Sequence, residues 1–557
     1  MLGLLTTVTS LLRPVLAFII ILVPLVVFHE FGHFIFAKLF GVKAEIFSVG
    51  FGPRLWSRQY GETEFRVSAI PMGGYVKLLG EDRDAELPAE DAKRSLHQQV
   101  PWKRFFIFFG GPLFNFLLAI MIFMVILALG EPQMASFVGR VVQGSVAEQA
   151  GFRSGDEILE VNQHPVKKFE EVAIAMNESP DTKINFRVLH PGESQSVIIE
   201  AKTSSEEGLG TYGESTHVGQ IDGLLPFARA TQVGVSNPRS PAALAGITTG
   251  DQLVRFGGKP VKTWEEVETL YRAVIPGTPI SVQVEKVKGL DGSKKQVELT
   301  FKKPDNTSGL GADVGLFSSE LFVERVVSKS PAEQIGLKSG DRLIGVGESD
   351  PQSFFQLREN VQKSGEKDGS VKVRWERMGQ SMEGVAQATA TPIRDVSLNK
   401  KTQYTIGVAP MLVLAEPPTV VERVLNPVRL VIQATERMVQ LTWRNLVSLR
   451  KMAAGEVSTG QLGGPLTIGK IAGESLSRGL IVFLTNMAIF SIGLGVLNIL
   501  PVPVLDGGHL LLLGIETVRG KPLSPRQMEI VQGIGLLFIL ALMGKAFYND
   551  IARLIYS

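Results

Sequence analysis

The 557-residue chain contains no cysteine and only seven histidines. The lack of cysteine excludes disulfide bonds and thiolate ligands, so any metal site must use histidine and carboxylate side chains. The net charge is only +2, which gives no indication of a nucleic-acid partner. Long apolar segments are missing from the middle of the chain and cluster near its two ends. A chain of this length is long enough for several domains.

Two of the histidines belong to the motif His29-Glu30-Phe31-Gly32-His33, which lies inside an apolar run over residues 14–37. On a helix, residues four positions apart share a face, so His29 and His33 could bind one ion together. Glu30 would then lie beside a water molecule held by that ion. Zinc suits this arrangement, because two imidazoles and one carboxylate leave a fourth coordination position open. The motif itself lacks the third ligand.

Four apolar segments have the length and composition of membrane-spanning helices: 14–37, 105–130, 480–505 and 530–547. The first is not followed by a small-residue cleavage site, so we expect it to be retained and not removed as a signal peptide. Basic residues border the loop 42–103 and lie within the loop 507–529. Because basic residues concentrate on the cytosolic side, we predict that both termini and the region between the second and third spans lie outside the cytosol.

A second rare group of polar residues lies at the end of the third apolar segment. Pro501 and Pro503 interrupt the backbone hydrogen bonds there, which is tolerated where a broken helix lines a cavity. Asp506 is the carboxylate that the zinc site lacks, and the amide of Asn498 could hold a substrate backbone. A helix cap is the alternative for Asp506, and for His509 a role around the ligands or at the interface is favoured over metal binding.

The segment 42–103 contains short β-like runs with glycine-rich turns at 50–53 and 72–74. These strands could present an edge to an unfolded peptide, although a plain cytosolic hairpin fits the pattern equally well. The second apolar segment opens with Gly110-Gly111, which permits close packing against the motif helix. Asn115 follows as a polar group that needs a partner in an apolar environment.

The middle of the chain repeats. The pattern Gly-x-x-x-Gly-Asp-x-Ile/Leu occurs at 151–158, 246–253 and 336–343, with offsets of 95 and 90 residues. A second marker repeats in phase with it, at Val218-Gly219-Gln220, Val314-Gly315-Leu316 and Ile406-Gly407-Val408. Periods this long indicate tandem small domains. The pattern resembles PDZ domains of bacterial membrane-associated proteases, although Gln220 departs from it. Such domains accept C-terminal peptides at a sheet edge, and the alternative is that the copies are spacers or a steric filter.

A long segment at 428–452 has its charged residues on one face and apolar residues opposite, which predicts an amphipathic helix on a membrane surface or on the protein. The fold class is therefore a multi-pass α-helical membrane protein with four transmembrane helices, a small membrane-associated β region and three α+β PDZ-like domains. The predicted divisions are 1–133 for the first two spans with the β loop, 134–222, 223–318 and 319–412 for the PDZ-like domains, 413–478 for the amphipathic region, and 479–557 for the last two spans.

The two motifs and the repeats between spans two and three together resemble the site-2 protease family of intramembrane zinc proteases, over nearly the whole chain. The resemblance implies hydrolysis of a peptide bond within the bilayer. The residues that it implies are Glu30 as the catalytic base, His29, His33 and Asp506 as ligands of Zn²⁺, and Asn498, Pro501, Pro503, Gly73 and Gly74 as substrate-binding residues.

The resemblance also implies a location in the bacterial inner membrane and a membrane-embedded protein substrate. Family members cut a transmembrane segment of an anti-sigma factor in an envelope stress response and clear signal-peptide remnants. The members that this chain most resembles carry two PDZ copies, and this chain has three. An extra copy would enlarge the size filter for substrates and leave the chemistry unchanged.

Two other functions fit parts of the sequence. A membrane adaptor that gathers peptides would bind no metal and leave its partners intact. A metal transporter would use several stacked carboxylates or histidines within the membrane, and this sequence has only one such cluster.

Overall fold

A computed structural model describes residues 2–80, 89–210, 212, 214–288, 293–305, 308–394, 400–521 and 523–556. Its helices are α1 (Leu2–Leu39), α2 (Ala89–Ala92), α3 (Pro101–Leu129), α4 (Val146–Ala150), α5 (Phe169–Asn177), α6 (Pro241–Leu244), α7 (Trp264–Ala273), α8 (Leu310–Val314), α9 (Pro331–Gln334), α10 (Phe354–Asp368), α11 (Pro427–Ala453), α12 (Pro465–Arg478), α13 (Leu480–Ile499), α14 (Asp506–Arg519) and α15 (Pro525–Tyr556). Short 3-10 helices lie at Leu96–Gln98, Ser319–Leu321 and Thr459–Gln461.

The strands are mostly short. They are β1 (Ala44–Tyr60), β2 (Thr63–Leu78), β3 (Glu131–Met134), β4 (Arg140–Val141), β5 (Glu157–Val161), β6 (His164–Pro165), β7 (Lys183–Leu189), β8 (Val197–Lys202), β9 (Ser204–Leu209), β10 (Ser215–Gln220), β11 (Leu224–Leu225), β12 (Val233–Gly234), β13 (Gln252–Phe256), β14 (Lys259–Pro260), β15 (Pro279–Lys288), β16 (Ser293–Lys302), β17 (Phe317–Ser318), β18 (Val323–Val326), β19 (Arg342–Val346), β20 (Ser370–Arg377), β21 (Gln380–Gln387), β22 (Thr389–Arg394), β23 (Lys400–Thr405), β24 (Val408–Pro410) and β25 (Thr419–Glu422).

Four of the described helices are long and apolar enough to cross a membrane, as the sequence predicts: Pro14–Leu39 within α1, α3, α13 and Arg526–Ile555 within α15. Helices α1, α3 and α13 share a buried apolar core that includes Ile21, Phe123 and Ile492. The predicted amphipathic segment 428–452 is confirmed as a helix, since it lies within α11. Its apolar face packs on α3 and α13, and Ala434 is buried in the same core.

The third apolar helix ends at Ile499 and not at residue 505 as predicted. Pro501 and Pro503 lack the N–H groups that would continue the helix, so the chain reverses over residues 500–505 and restarts as α14. Val504 has a φ of +92° in this reversal. A β-branched residue in that region is strained by about 1–3 kcal/mol, which surrounding contacts must offset.

Strands β1 and β2 form a twisted sheet beside α1. Residues 74–78 of β2 pair antiparallel with residues 44–49 of β1, whose other side adjoins residues 64–67. Residues 74–78 therefore form one edge of the sheet among the described strands. The sheet packs on the motif helix through Phe34, whose ring lies 5.6 Å from that of Phe47 and 5.7 Å from that of Phe65.

The three repeats follow one plan of short strand, capped helix, Gly-Asp turn, antiparallel sheet and closing strand. Each early helix is capped by a serine whose hydroxyl accepts the N–H three residues later: Ser145, Ser240 and Ser330. The closing strands β11, β17 and β24 each pair with the strand that opens the same repeat, β4, β12 and β18. Each repeat has its own buried core.

The second sequence marker is misplaced in the first repeat. Gly315 and Gly407 have positive φ and lie against Ser240 and Ser330. The residue with the same geometry in the first repeat is Gly223, with a φ of +77° against Ser145, and not Gly219. The equivalent segment is therefore Asp222-Gly223-Leu224, in which Leu224 supplies the apolar residue after the glycine and Asp222 replaces the apolar residue before it. Since β11 pairs with β4, the first repeat also extends past residue 222 to Leu225.

Candidate metal centre

The two histidines of the motif point at one position from α1. Their Nε2 atoms lie 3.3 Å apart. His33 Nδ1 donates to the backbone carbonyl of Ile107 on α3 at 2.8 Å, because a carbonyl oxygen only accepts hydrogen bonds. This bond leaves the lone pair of His33 Nε2 free to bind a metal.

Asp506 reaches the same position from the start of α14. Its carboxylate oxygens lie 3.2 Å from His29 Nε2 and 3.4 Å from His33 Nε2. One ligand atom from each residue lies within 4.8 Å of the other two. Two motifs separated by more than 470 residues of sequence thus meet, because the reversal at 500–505 turns α14 back toward α1.

Ligand atoms at about 2.0–2.1 Å from a zinc ion in tetrahedral geometry are about 3.3 Å from one another. The two imidazole Nε2 atoms are at this spacing, 3.3 Å apart. The Asp506 carboxylate lies 3.2 Å from His29 Nε2 through Oδ2 and 3.4 Å from His33 Nε2 through Oδ1. Two imidazole nitrogens and a carboxylate are also a donor set that zinc accepts, with one position left open. The residues present therefore fit the predicted metal.

Glycines allow the helices to approach this closely. A Cβ atom on Gly32 would lie 2.1 Å from the carbonyl oxygen of Gly110, and one on Gly111 would lie 2.4 Å from His33 Nε2. The predicted close packing of Gly110-Gly111 on the motif helix is confirmed. Gly507 and Gly508 lie against the backbone of the preceding segment 499–503, which begins with the last residue of α13.

Glu30 lies between the three ligands and the β sheet. Its carboxylate accepts a backbone hydrogen bond from Val76 on the edge segment 74–78. A Cβ atom on Gly74 would lie 3.0 Å from Glu30 Cγ, so glycine at this position lets the edge lie directly against the carboxylate. The neighbouring Gly73 lies against the ring of Phe51, further from the ligands.

The other residues singled out near Asp506 lie in three different places. The amide nitrogen of Asn498 lies 3.3 Å from His29 Nε2, so Asn498 borders the position that the ligands surround. Pro501 and Pro503 build the reversal, and the carbonyl of Pro503 packs against Gly535 of α15. His509 is outside the ligand group and stacks on Phe108 with ring centroids 4.9 Å apart.

Sequence reasoning missed the contact between α3 and His29. The side chain of Asn115 lies 3.1 Å from His29 Nδ1. The sequence indicates only that Asn115 needs a polar partner. A second unexpected contact joins Arg104 of α3 to Glu516 of α14 at 3.4 Å, which together with the Phe108–His509 stack fixes the Asp506 helix against α3.

Comparison with known proteins adds a family and several relatives. A model of peptidase family M50 matches residues 17–542. A Neisseria meningitidis protein named "Putative zinc metalloprotease" is 31% identical over 550 residues, which cover 98% of this chain and all of that one. Two proteins named regulator of sigma E protease are from Haemophilus influenzae, 29% identical and covering 97% of this chain and 98% of its own, and from Salmonella typhimurium, 26% identical and covering 98% and 100%. A PDZ domain protein of Parabacteroides distasonis is 10% identical and covers 50% of this chain and 100% of its own, but its TM-score of 0.13 supports no conclusion.

Proposed function

The chain belongs to peptidase family M50, the site-2 protease family, and from this premise we propose that it is an intramembrane zinc metalloprotease. It hydrolyses a peptide bond in the transmembrane segment of a single-span membrane protein. The observation that carries the proposal is that His29, His33 and Asp506 each offer one ligand atom within 4.8 Å of the other two, with the two Nε2 atoms 3.3 Å apart as in a tetrahedral zinc site. The four long apolar helices support its insertion in a membrane.

The residues of the centre have distinct roles. His29, His33 and Asp506 hold zinc, which when bound acidifies water and polarises a carbonyl oxygen. Glu30 accepts a proton from the attacking water and returns it to the leaving amine. Its position between the ligands and the edge segment 74–78 supports this role. Asn498 borders the same position and binds the substrate backbone.

The β edge supports a route for substrate binding. A transmembrane substrate hides its carbonyl groups in helical hydrogen bonds, so it must unwind before hydrolysis. Adding the unwound segment to residues 74–78 replaces the lost bonds with strand pairing. Gly73 and Gly74 add no side-chain bulk to that edge. Pro501 and Pro503 lie in the chain reversal that ends at Asp506, and they line the side of the substrate site opposite that edge.

The relatives named regulator of sigma-E protease support a substrate class. The substrates are membrane-embedded proteins such as an anti-sigma factor, and remnants of signal peptides. The enzyme lies in the bacterial inner membrane, and its repeats and both termini lie on the extracytoplasmic side, in agreement with the positions of its basic residues.

The repeats are PDZ-like domains. A cleft of about 900 Å³ separates the first and third repeats, bounded by residues 220–225 on one side and by α10 and residues 403–409 on the other. Strand β24 pairs with β18 along one edge, and its residues together with α10 line the cleft, as a PDZ peptide site requires. The cleft either binds a C-terminal peptide or limits the size of the substrate that passes.

Metal analysis combined with a cleavage assay tests the proposal. Purified wild-type protein is expected to contain about one zinc per chain and to cut a single-span model substrate, whereas Asp506→Ala should lose both properties. Asp550→Ala is the matched control, because Asp550 is a buried aspartate that accepts backbone N–H bonds at the start of α12 and lies outside the ligand group. That variant should lose stability and keep its zinc. Wild-type protein without zinc that leaves the substrate intact would contradict the proposal and favour a peptide-binding adaptor.

A further inference from the structure

Asn115 is the most deeply buried polar side chain next to the metal centre. It is 0% exposed, and its amide nitrogen lies 3.1 Å from His29 Nδ1. Its amide oxygen has no hydrogen-bond partner among the described residues. The backbone carbonyl of Asn115 accepts a hydrogen bond from the Ser491 hydroxyl at 2.8 Å, which ties this part of α3 to α13. A buried amide held in place in this way requires a physical explanation.

The ring nitrogen of His29 that carries the proton decides which end of the Asn115 amide faces the imidazole. Nε2 of His29 is the atom turned toward Asp506, His33 and Asn498. A neutral imidazole carries its proton on only one nitrogen, so metal binding through Nε2 requires the proton on Nδ1. An N–H group at Nδ1 needs an acceptor. The amide nitrogen of Asn115 is a donor, and if it faced Nδ1 the proton would be placed on Nε2 and block the metal.

We propose that Asn115 is a positioning residue whose side-chain carbonyl accepts the Nδ1–H of His29 and so fixes the tautomer that binds metal through Nε2. The two ends of an asparagine amide have nearly the same shape, and the hydrogen-bond network assigns them. One end of the amide is without a described partner in either orientation, so the metal is what selects the orientation. The inference rests on the proposed zinc site.

The second histidine supports this assignment. His33 already donates its Nδ1–H to the Ile107 carbonyl, which is also on α3. Helix α3 therefore supplies one carbonyl oxygen to each histidine, from the backbone for His33 and from a side chain for His29. Partners of this kind orient the imidazole and increase its basicity, and their loss typically lowers metal affinity about 10–100-fold.

Two substitutions separate an accepting role from a structural one. Asn115→Asp keeps the shape and the acceptor but removes the donor. Asn115→Leu keeps the approximate volume and removes both. Zinc affinity is measured on the purified full-length chain by competition with a chelator, and the melting temperature of the metal-free protein is measured in parallel. Ser491→Ala is the matched control, because it removes the bond to the Asn115 backbone and leaves the side chain in contact with His29.

We expect Asn115→Leu to bind zinc about 10–100-fold more weakly, while Asn115→Asp and Ser491→Ala stay within a few-fold of wild type. Unchanged affinity in Asn115→Leu would overturn the inference. A loss of about 10-fold or more in Asn115→Asp would also overturn it, because the amide would then act as a donor. This result can be read even where Asn115→Leu fails to fold. Wild-type protein that binds no zinc would defeat the proposed function itself, and so the two failures are distinguishable.

Discussion

Charged side chains buried in the repeats lie against side chains of opposite charge. At the metal centre, by contrast, the donor atoms of three side chains face one point. Arg140 and Glu320, both buried, form an ion pair at 2.7 Å between the first repeat and the start of the third. Arg229 and Glu265 form another at 2.8 Å. Burial raises the pKa of Glu265, and the Arg229 guanidinium opposes that rise. These acids have satisfied partners and require no ligand.

The metal centre has the opposite arrangement. Within the described residues, the ion-pair partners of Asp506 are two imidazoles, with no lysine or arginine. Both imidazoles present an unprotonated nitrogen when they act as ligands, so three electron-pair donors face one point. Pairing with an opposite charge indicates a structural role, whereas convergence of electron-pair donors indicates a cation-binding site. Substitutions at the centre should therefore remove function and spare stability, and those in the repeats should do the reverse.

The largest expected effect is at Glu30. Glu30→Gln keeps the size of the side chain and removes the proton acceptor, so we expect cleavage of a model single-span substrate to fall by about 10²–10⁴-fold. Zinc content and melting temperature should stay at wild-type values, because Glu30 is not among the three ligands. Retained turnover in purified Glu30→Gln protein would remove Glu30 from the role of base and weaken the contrast between the two regions.

The second effect is at the buried ion pair of the repeats. Arg140→Met leaves Glu320 buried without its cation, so the free energy of unfolding should fall by about 3–5 kcal/mol. The double variant Arg140→Met/Glu320→Leu should recover most of that loss, because neither charge remains. Denaturant unfolding of the full-length chain measures both, and zinc content should not change. An equal loss in the single and double variants would mean that packing, and not charge pairing, dominates at this position.

The third effect tests the close approach of α3 to the histidines. Gly111→Ala would place a methyl group 2.4 Å from His33 Nε2 and 2.7 Å from His29 Cε1. Displacing the imidazoles should cost about 1–3 kcal/mol of zinc binding, which is a loss of roughly 10–100-fold in affinity. Gly514→Ala on α14 is the control, since a Cβ atom there meets nothing within 4 Å. Chelator competition measures the two variants, and equal zinc affinity in both would show that the helices adjust freely.

Much of the difference between the metal centre and the repeats is predictable from the sequence, because short-range residue patterns mark both regions. The spacing of His29 and His33 and the Gly-Asp turns of the repeats depend on local periodicity. The end of α13 was predicted too late because residues 500–505 continue the apolar composition, and composition does not register a reversal of the chain. The two prolines predict an interruption of the backbone hydrogen bonds, but they do not specify that the helix ends before them and that the chain reverses.

Other features depend on contacts that sequence spacing does not contain. Gly219 and Gly223 both lie near the expected offset, and only the positive φ of Gly223 and its contact with Ser145 identify the equivalent residue. The contact between Asn115 and His29 joins residues 86 positions apart. A polar residue in an apolar helix predicts that a partner exists, but the packing of two helices decides which partner it is.

The smallest expected effect lies within the repeats, where the aspartate of each Gly-Asp turn has a different cation. Asp341 pairs with Arg377 at 2.7 Å and Asp251 with Lys286 at 3.3 Å, whereas the partner of Asp156 is His190 at 2.7 Å. An imidazole loses its charge in the neutral range, where arginine and lysine keep theirs.

The first repeat should lose stability as pH rises through the raised pKa of Asp156. Burial raises the pKa of Asp156, with the His190 bond opposing the rise, so the folded chain holds that proton to a higher pH than the unfolded chain does. Stability from this group is present below the unfolded pKa and declines as pH rises through the raised value. The other charged groups at this turn, Arg153 and Glu193, pair with each other at 2.8 Å on the surface. His190→Arg supplies a permanent cation beside the Asp156 carboxylate, so we expect it to reduce the loss of stability of the first repeat as pH rises through the pKa of Asp156, by about 1 kcal/mol. Hydrogen exchange of the β7 amides, followed across that pH range and compared with wild type, measures the difference. An unchanged pH dependence in the variant would show that the residue opposite Asp156 does not control this turn.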